Sequence, residues 1–180
     1  MDRRLYGALF LLVLGFGFAL TLRPNSDELS VDLISIDEGK TIADFELENL
    51  DGERQRLSQF TNRVVLINFW ATWCPPCREE MPSLQNAAIY FNDDDFTVLA
   101  INVGETREQI RVFSDKFGIS SEFTMLLDDD SLVFERLGSG VLPTSLIIDR
   151  SGNLRYRAIG PKQFDAEPIL KIIEKLIEAD

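Results

Sequence analysis

Cys74 and Cys77 are the only cysteines in the 180-residue chain, and they stand in the run Trp73-Cys74-Pro75-Pro76-Cys77. Two thiols at this spacing can close a small disulfide ring or open it, which makes them a redox switch. They lie where an apolar run, Val64 to Trp70, gives way to a helix pattern. At a helix start the first sulfur meets unpaired backbone N–H groups, which stabilise a thiolate. Cys74 is therefore expected to be the exposed, low-pKa nucleophile, and Cys77, one turn on, the resolving thiol. Pro75 and Pro76 stiffen the loop and remove N–H donors that would otherwise act on the Cys74 thiolate. The alternatives are a structural bridge or a metal site; a bridge closing so short a loop adds little stability.

Composition removes most other chemistry. The chain has no histidine, so Ser-His-Asp and Cys-His catalysis, the usual zinc sites and imidazole ligation of haem are closed to it. No cofactor is expected. The net charge of −12 argues against nucleic-acid binding, because nothing offsets repulsion from a polyanion. The aspartate runs 93–95 and 128–130 lack a calcium-loop pattern and read as solvated turns, not metal sites.

Leu5 to Leu22 is uncharged and follows Arg3 and Arg4. Its length as a helix, roughly 27 Å, just spans a bilayer core. Residues 1–23 are expected to be a retained membrane anchor, with a signal peptide cut near Gly17-Phe18-Ala19 as the alternative. Arg3 and Arg4 keep the N-terminus in the cytoplasm in either case, leaving the remainder outside a cell membrane crossed once. That remainder carries −14, because the first 23 residues hold three basic residues and one acidic. Residues 24–40 are polar and acidic and read as a linker.

Residues 41–180 read as one domain. Phe45 to Glu48 alternates as a half-buried strand, Asp51-Gly52 marks a turn, and Gln55 to Leu57 is the return strand. Val64 to Trp70 and Phe96 to Val103 are continuous apolar runs, expected as strands buried on both faces. Helices are expected from Pro75 to Phe91, kinked at Pro82, and from Thr106 to Phe117, stopped by Gly118. A short strand over Phe123 to Leu127 and a short helix over Ser131 to Leu137 follow. Then come a hairpin, Thr144–Ile148 and Leu154–Ile159 about Ser151-Gly152, and a helix from Phe164 to Ile177. The order gives an α/β fold with a mixed central sheet flanked by helices.

The segment Asn68-Phe69-Trp70-Ala71-Thr72-Trp73-Cys74-Pro75-Pro76-Cys77 resembles the active-site segment of the thioredoxin superfamily. Pro82, five residues after Cys77, matches that family's helix kink, and Val141-Leu142-Pro143-Thr144 its cis-proline loop. The chain from Lys40 onward is similar to the membrane-anchored TlpA-like or ResA-like branch, with a helix-and-strand insertion at residues 104–127. The resemblance implies a thioredoxin-like fold, a cis Leu142-Pro143 bond beside Cys74, and a substrate-binding surface made by Trp73, Pro75, Pro76, Leu142 and Pro143. For Trp73 a packed core role is the alternative; Trp70 is read as core. Classical thioredoxins carry a buried aspartate where this chain has Asn68, which cannot accept a proton. The ResA-like branch has a glutamate three residues after the second cysteine, so Glu80 is the expected stand-in. Helical geometry favours Glu80 over Glu79, since Glu80 shares a face with Leu84 and Ala87 while Glu79 points with Ser83, Asn86 and Tyr90 toward water. A solvated charge paired with Arg78 or Arg54 is the alternative.

The resemblance further implies an extracytoplasmic thiol–disulfide oxidoreductase that reduces disulfide-containing proteins, apocytochrome c among them, with electrons from a membrane thiol reductase. A thiol peroxidase is the second reading; Ala71 stands where peroxiredoxins carry Thr or Ser. A non-catalytic or copper-chaperone module is the third, and copper delivery on this fold uses a longer Cys spacing and a His.

Overall fold

The computed structural model describes residues 33–119 and 123–179, with the backbone alone at residues 37–39. The expected anchor lies outside these residues. Eight strands form one sheet in the order β1-β8-β7-β4-β5-β6-β2-β3. The strands are β1 (Leu33–Thr41), β2 (Glu46–Asn49), β3 (Arg54–Arg56), β4 (Val64–Trp70), β5 (Phe96–Val103), β6 (Thr124–Asp128), β7 (Thr144–Ile148) and β8 (Asn153–Ile159). The helices are α1 (Pro75–Tyr90), α2 (Arg107–Phe117), α3 (Leu132–Leu137) and α4 (Glu167–Glu178). β4, β5 and β6 run parallel, and the other neighbours are antiparallel, so the sheet is mixed as expected.

Strand parity divides the core. Val64, Leu66 and Trp70 of β4 pack with Leu84 of α1, Ile110 and Phe113 of α2 and Ile173 of α4. Val65, Ile67 and Phe69 face the other way, onto Leu146 and onto Val133 of α3. β4 and β5 are thus covered on both faces, which is why their sequences are continuously apolar. Asn68 and Asn102 interrupt them with buried amides, and both belong to the site.

Three expectations are corrected. The segment read as a linker contains β1, an edge strand paired with β8. Asp128 is not in a solvated turn: it is fully buried and accepts hydrogen bonds from the backbone N–H groups of Val133 and Phe134, closing the start of α3. Burial pushes its carboxyl above the usual range. The C-terminal helix begins at Glu167, not Phe164; Phe164 is buried ahead of it. The expected insertion corresponds to α2 and β6, with β6 added beside β5.

Candidate active site

β4 delivers the chain to the start of α1, where Cys74 is the N-cap. Its Sγ accepts the backbone N–H of Cys77 at 3.3 Å, and its carbonyl accepts that of Arg78 at 3.2 Å. Pro75 and Pro76, the first two helical residues, have no N–H to satisfy, so Cys77 carries the first free donor of the helix. Cys74 and Cys77 form a disulfide of 2.02 Å with Cα atoms 5.3 Å apart. Cys77 is wholly buried. Cys74 is only 3 % exposed, which corrects the expectation of an exposed nucleophile: in the oxidised form both cysteines sit in the cluster with Trp70 and Met81, and Leu142 packs against it.

Around the sulfurs the other expected residues fall into place unevenly. Trp73 is 67 % exposed and Trp70 fully buried. Pro75 is exposed, Pro76 and Leu142 half-buried, and Pro143 buried. The Leu142-Pro143 bond is cis. Beyond it the hydroxyl of Thr144 donates to the carbonyl of Val141 at 2.7 Å and lies 2.6 Å from that of Ser139, which fixes the loop.

Glu80, one turn beyond Cys77, is 1 % exposed, which excludes the solvated-charge alternative; Arg54 pairs with Glu46 instead. Its carboxylate accepts Asn68 Nδ2 at 2.8 Å and the backbone N–H of Lys162 at 3.0 Å. Asn68 Nδ2 also donates to Ser145 Oγ at 2.9 Å, across the β4–β7 pair. Burial outweighs these bonds and a weak attraction from Lys162, and the Glu80 carboxyl is pushed up to about 7. Ser83, expected to face water, is buried: its hydroxyl donates to the carbonyl of Glu80 at 2.7 Å and accepts the N–H of Phe164 at 3.1 Å. The loop after β8 is therefore bound to α1 by Glu80 and Ser83, and at the surface by Asn86, whose Nδ2 donates to Asp165 Oδ2 at 2.8 Å.

One residue escaped sequence reasoning. Glu105, 5 % exposed between β5 and α2, reaches the chain just before Cys74. It accepts the backbone N–H of Thr72 at 2.6 Å, the Thr72 hydroxyl at 2.5 Å and Asn102 Nδ2 at 2.9 Å. The signal that could have found it is Gly104-Glu105-Thr106, an acid between a strand-ending glycine of positive φ and a helix cap.

A cysteine pair at a helix start, one of its sulfurs wholly buried, and a buried carboxyl with a near-neutral pKa suit thiol–disulfide exchange with proton transfer. The family model of the AhpC/TSA family matches residues 39–157. The thiol-disulfide oxidoreductase ResA of Geobacillus thermodenitrificans is 31 % identical over 147 residues, covering 82 % of this chain and 80 % of its own. ResA of Geobacillus kaustophilus is 34 % identical over 122 residues, covering 68 % and 69 %. A secreted thiol-disulfide isomerase from Corynebacterium glutamicum has a TM-score of 0.71 at 25 % identity, covering 84 % of this chain and 95 % of that one. The exposed lipoprotein thioredoxin of Streptococcus pneumoniae has a TM-score of 0.61 at 28 % identity, covering 74 % and 99 %. The chain therefore belongs to the AhpC/TSA family and is a thioredoxin-like thiol–disulfide oxidoreductase of the ResA type.

Proposed function

We propose that the protein is held on the outer side of the cell membrane by residues 1–23 and reduces disulfides of partner proteins through Cys74 and Cys77. The Cys-x-x-Cys of apocytochrome c is the proposed substrate, and a membrane thiol reductase the electron donor. The Cys74 thiolate attacks one sulfur of the partner's disulfide, releases the other as a thiolate that takes a proton from solvent, and leaves a mixed disulfide. Cys77 loses its proton to Glu80 and attacks Cys74; the partner's second sulfur departs and takes that proton back from Glu80, so the partner leaves as a dithiol and Cys74–Cys77 closes as a disulfide. The observation that carries this reading is the buried Glu80, whose carboxyl near 7 can take a thiol proton and return it at neutral pH. Trp73 and Leu142 offer an apolar contact to an extended partner segment beside Cys74.

Sheet register supports the membrane reading of the partners. Leu33, Ala158, Ser145 and Asn68 stand in one row across β1, β8, β7 and β4. β1 runs away from the dithiol end, so the chain enters the domain at the end that carries Cys74. Residues 23–32 reach about 35 Å at most, which would hold the dithiol close to the bilayer. Two of the relatives above are described as secreted and as an exposed lipoprotein, in keeping with a place outside the cytoplasm. Among the described residues no helix is long and apolar enough to cross a membrane.

A peroxidase finds less support. Ala71 supplies no hydroxyl three residues before Cys74, and the hydroxyl of Thr72 is engaged by Glu105. The full-length chain, expressed in a bacterium, is expected in carbonate-washed membranes, open to protease added to spheroplasts. It is also expected to reduce a Cys-x-x-Cys peptide disulfide. A wholly cytoplasmic, soluble chain would contradict the proposed location, and peroxide turnover exceeding disulfide reduction would favour the peroxidase.

A further inference from the structure

We propose that Glu105 is a positioning residue for Cys74, setting how readily the dithiol closes. The inference rests on Cys74 and Cys77 being the redox pair. Glu105 is a buried carboxylate whose three donors are a backbone amide, a hydroxyl and a side-chain amide, all of them neutral. Burying a charge among neutral donors is costly, and an apolar residue would fill the space at less cost. What the carboxylate holds is the segment between β4 and α1. β4 ends at Trp70, so the Thr72 N–H has no place in the strand ladder, and Glu105 supplies its acceptor. On its other side the segment is tied by the Cys74 N–H, which donates to the carbonyl of Ala71 at 3.2 Å. Asn102, level with Trp70 on β5, braces the carboxylate from the sheet.

The consequence is greatest in the dithiol. In the oxidised protein the disulfide itself holds Cys74 against Cys77. Once that bond is reduced, the Glu105–Thr72 bonds restrain the segment that carries Cys74 Sγ toward Cys77. A restrained pair closes more readily than a free one, because less orientational freedom is lost on closure. Closure releases two electrons and two protons, taken up when glutathione disulfide becomes two glutathione thiols. Glu105 thereby favours the disulfide and makes the dithiol the stronger reductant.

The test is equilibration of the full-length wild type, Glu105→Ala, Glu105→Gln and Thr72→Val with glutathione redox buffers, with the Cys74–Cys77 oxidation state read by thiol alkylation. Glu105→Ala should lower the equilibrium constant for disulfide formation about tenfold, an upward move of about 30 mV for a two-electron couple. Glu105→Gln should stay within about twofold of wild type, because its amide oxygen accepts from Thr72 N–H and Asn102 while its NH₂ donates to the Thr72 hydroxyl. Thr72→Val, which keeps the N–H bond, should fall between them. Should Glu105→Ala fail to fold, the contrast of Glu105→Gln with Thr72→Val decides. Glu105→Ala with an unchanged equilibrium constant and only a lower Tm would overturn the proposal, as would Glu105→Gln displaced as far as Glu105→Ala or Thr72→Val equal to wild type. A wild type that fails to titrate as a two-electron couple would instead overturn the redox-pair reading on which the proposal rests.

Discussion

Cys74→Ser is expected to lower disulfide reduction by at least about a thousandfold, to the uncatalysed background. The reason is chemical. A serine hydroxyl is not ionised at neutral pH, and its oxygen cannot form a mixed disulfide with a partner's sulfur. No third cysteine exists to take over. Cys77, the remaining thiol, is wholly buried and cannot meet a protein disulfide directly. The fold should survive, because the lost disulfide closes only a four-residue segment and β4 and α1 are held by the apolar cluster around Trp70 and Leu84. Insulin-disulfide reduction with dithiothreitol as reductant measures the loss, and a far-UV spectrum matching wild type shows that it is catalytic. Turnover within tenfold of wild type would remove Cys74 from the mechanism.

Glu80→Gln should stabilise the protein at pH 8 by up to about 3 kcal/mol and leave it unchanged at pH 4. The Glu80 carboxyl ionises near 7 in the fold against an ordinary value of 4.5. Between those values the folded chain holds a proton that the unfolded chain has released, so the Glu80 contribution to stability falls as pH rises from 4.5 to 7. Above 7 the folded protein carries a buried carboxylate at full cost, and below 4.5 the group is protonated in both states and contributes no difference. The amide can be accommodated: Asn68 Oδ1 has no hydrogen-bond partner among the described residues, and a turn of the Asn68 amide would present that oxygen to the new NH₂. Urea unfolding at pH 4, 6 and 8 measures the difference. The same substitution should move the thiol titration, since it replaces the proposed proton acceptor of Cys77 by an amide. Parallel stability curves across this range would mean that Glu80 titrates as an ordinary surface carboxylate.

What the sequence made legible was whatever local pattern dictates. β4 and β5 are bounded by their apolar runs, and α2 by Thr106 and Gly118, the first accepting the Gln109 N–H and the second in the left-handed region at φ 62°. Glu80 was separable from Glu79 because helical periodicity puts it beside Leu84 and Ala87, and all three are buried. β1 was not legible: Ile34 and Ser35 are exposed, the pairing shifts register between Ser35 and Lys40, and the strand exists because β8 offers an edge. Ser83 faces a loop 79 residues away, and Asp128 and Glu105 bury their carboxyl groups only because donors converge on them in three dimensions, two backbone N–H groups on Asp128 and the Thr72 N–H, the Thr72 hydroxyl and the Asn102 amide on Glu105. The cover over Cys74 is likewise tertiary, since Leu142 of the cis-proline loop packs against its cluster. Polar residues in strands and loops gave no periodic signal, and they are the ones that build the site.

The most direct test of exchange through the dithiol is the Cys77→Ser chain mixed with a Cys-x-x-Cys peptide disulfide and analysed by peptide mapping without reductant. Attack by Cys74 on the peptide then gives a mixed disulfide that only the peptide's own freed thiol can reverse, because the resolving thiol is gone, so the mixture is quenched with N-ethylmaleimide to cap that freed thiol. The expected result is a single peptide joined to Cys74 in the quenched mixture and never released as a dithiol, while the wild type returns the peptide as a dithiol. A Cys77→Ser chain that forms no adduct under conditions where the wild type reduces the peptide would contradict the mechanism.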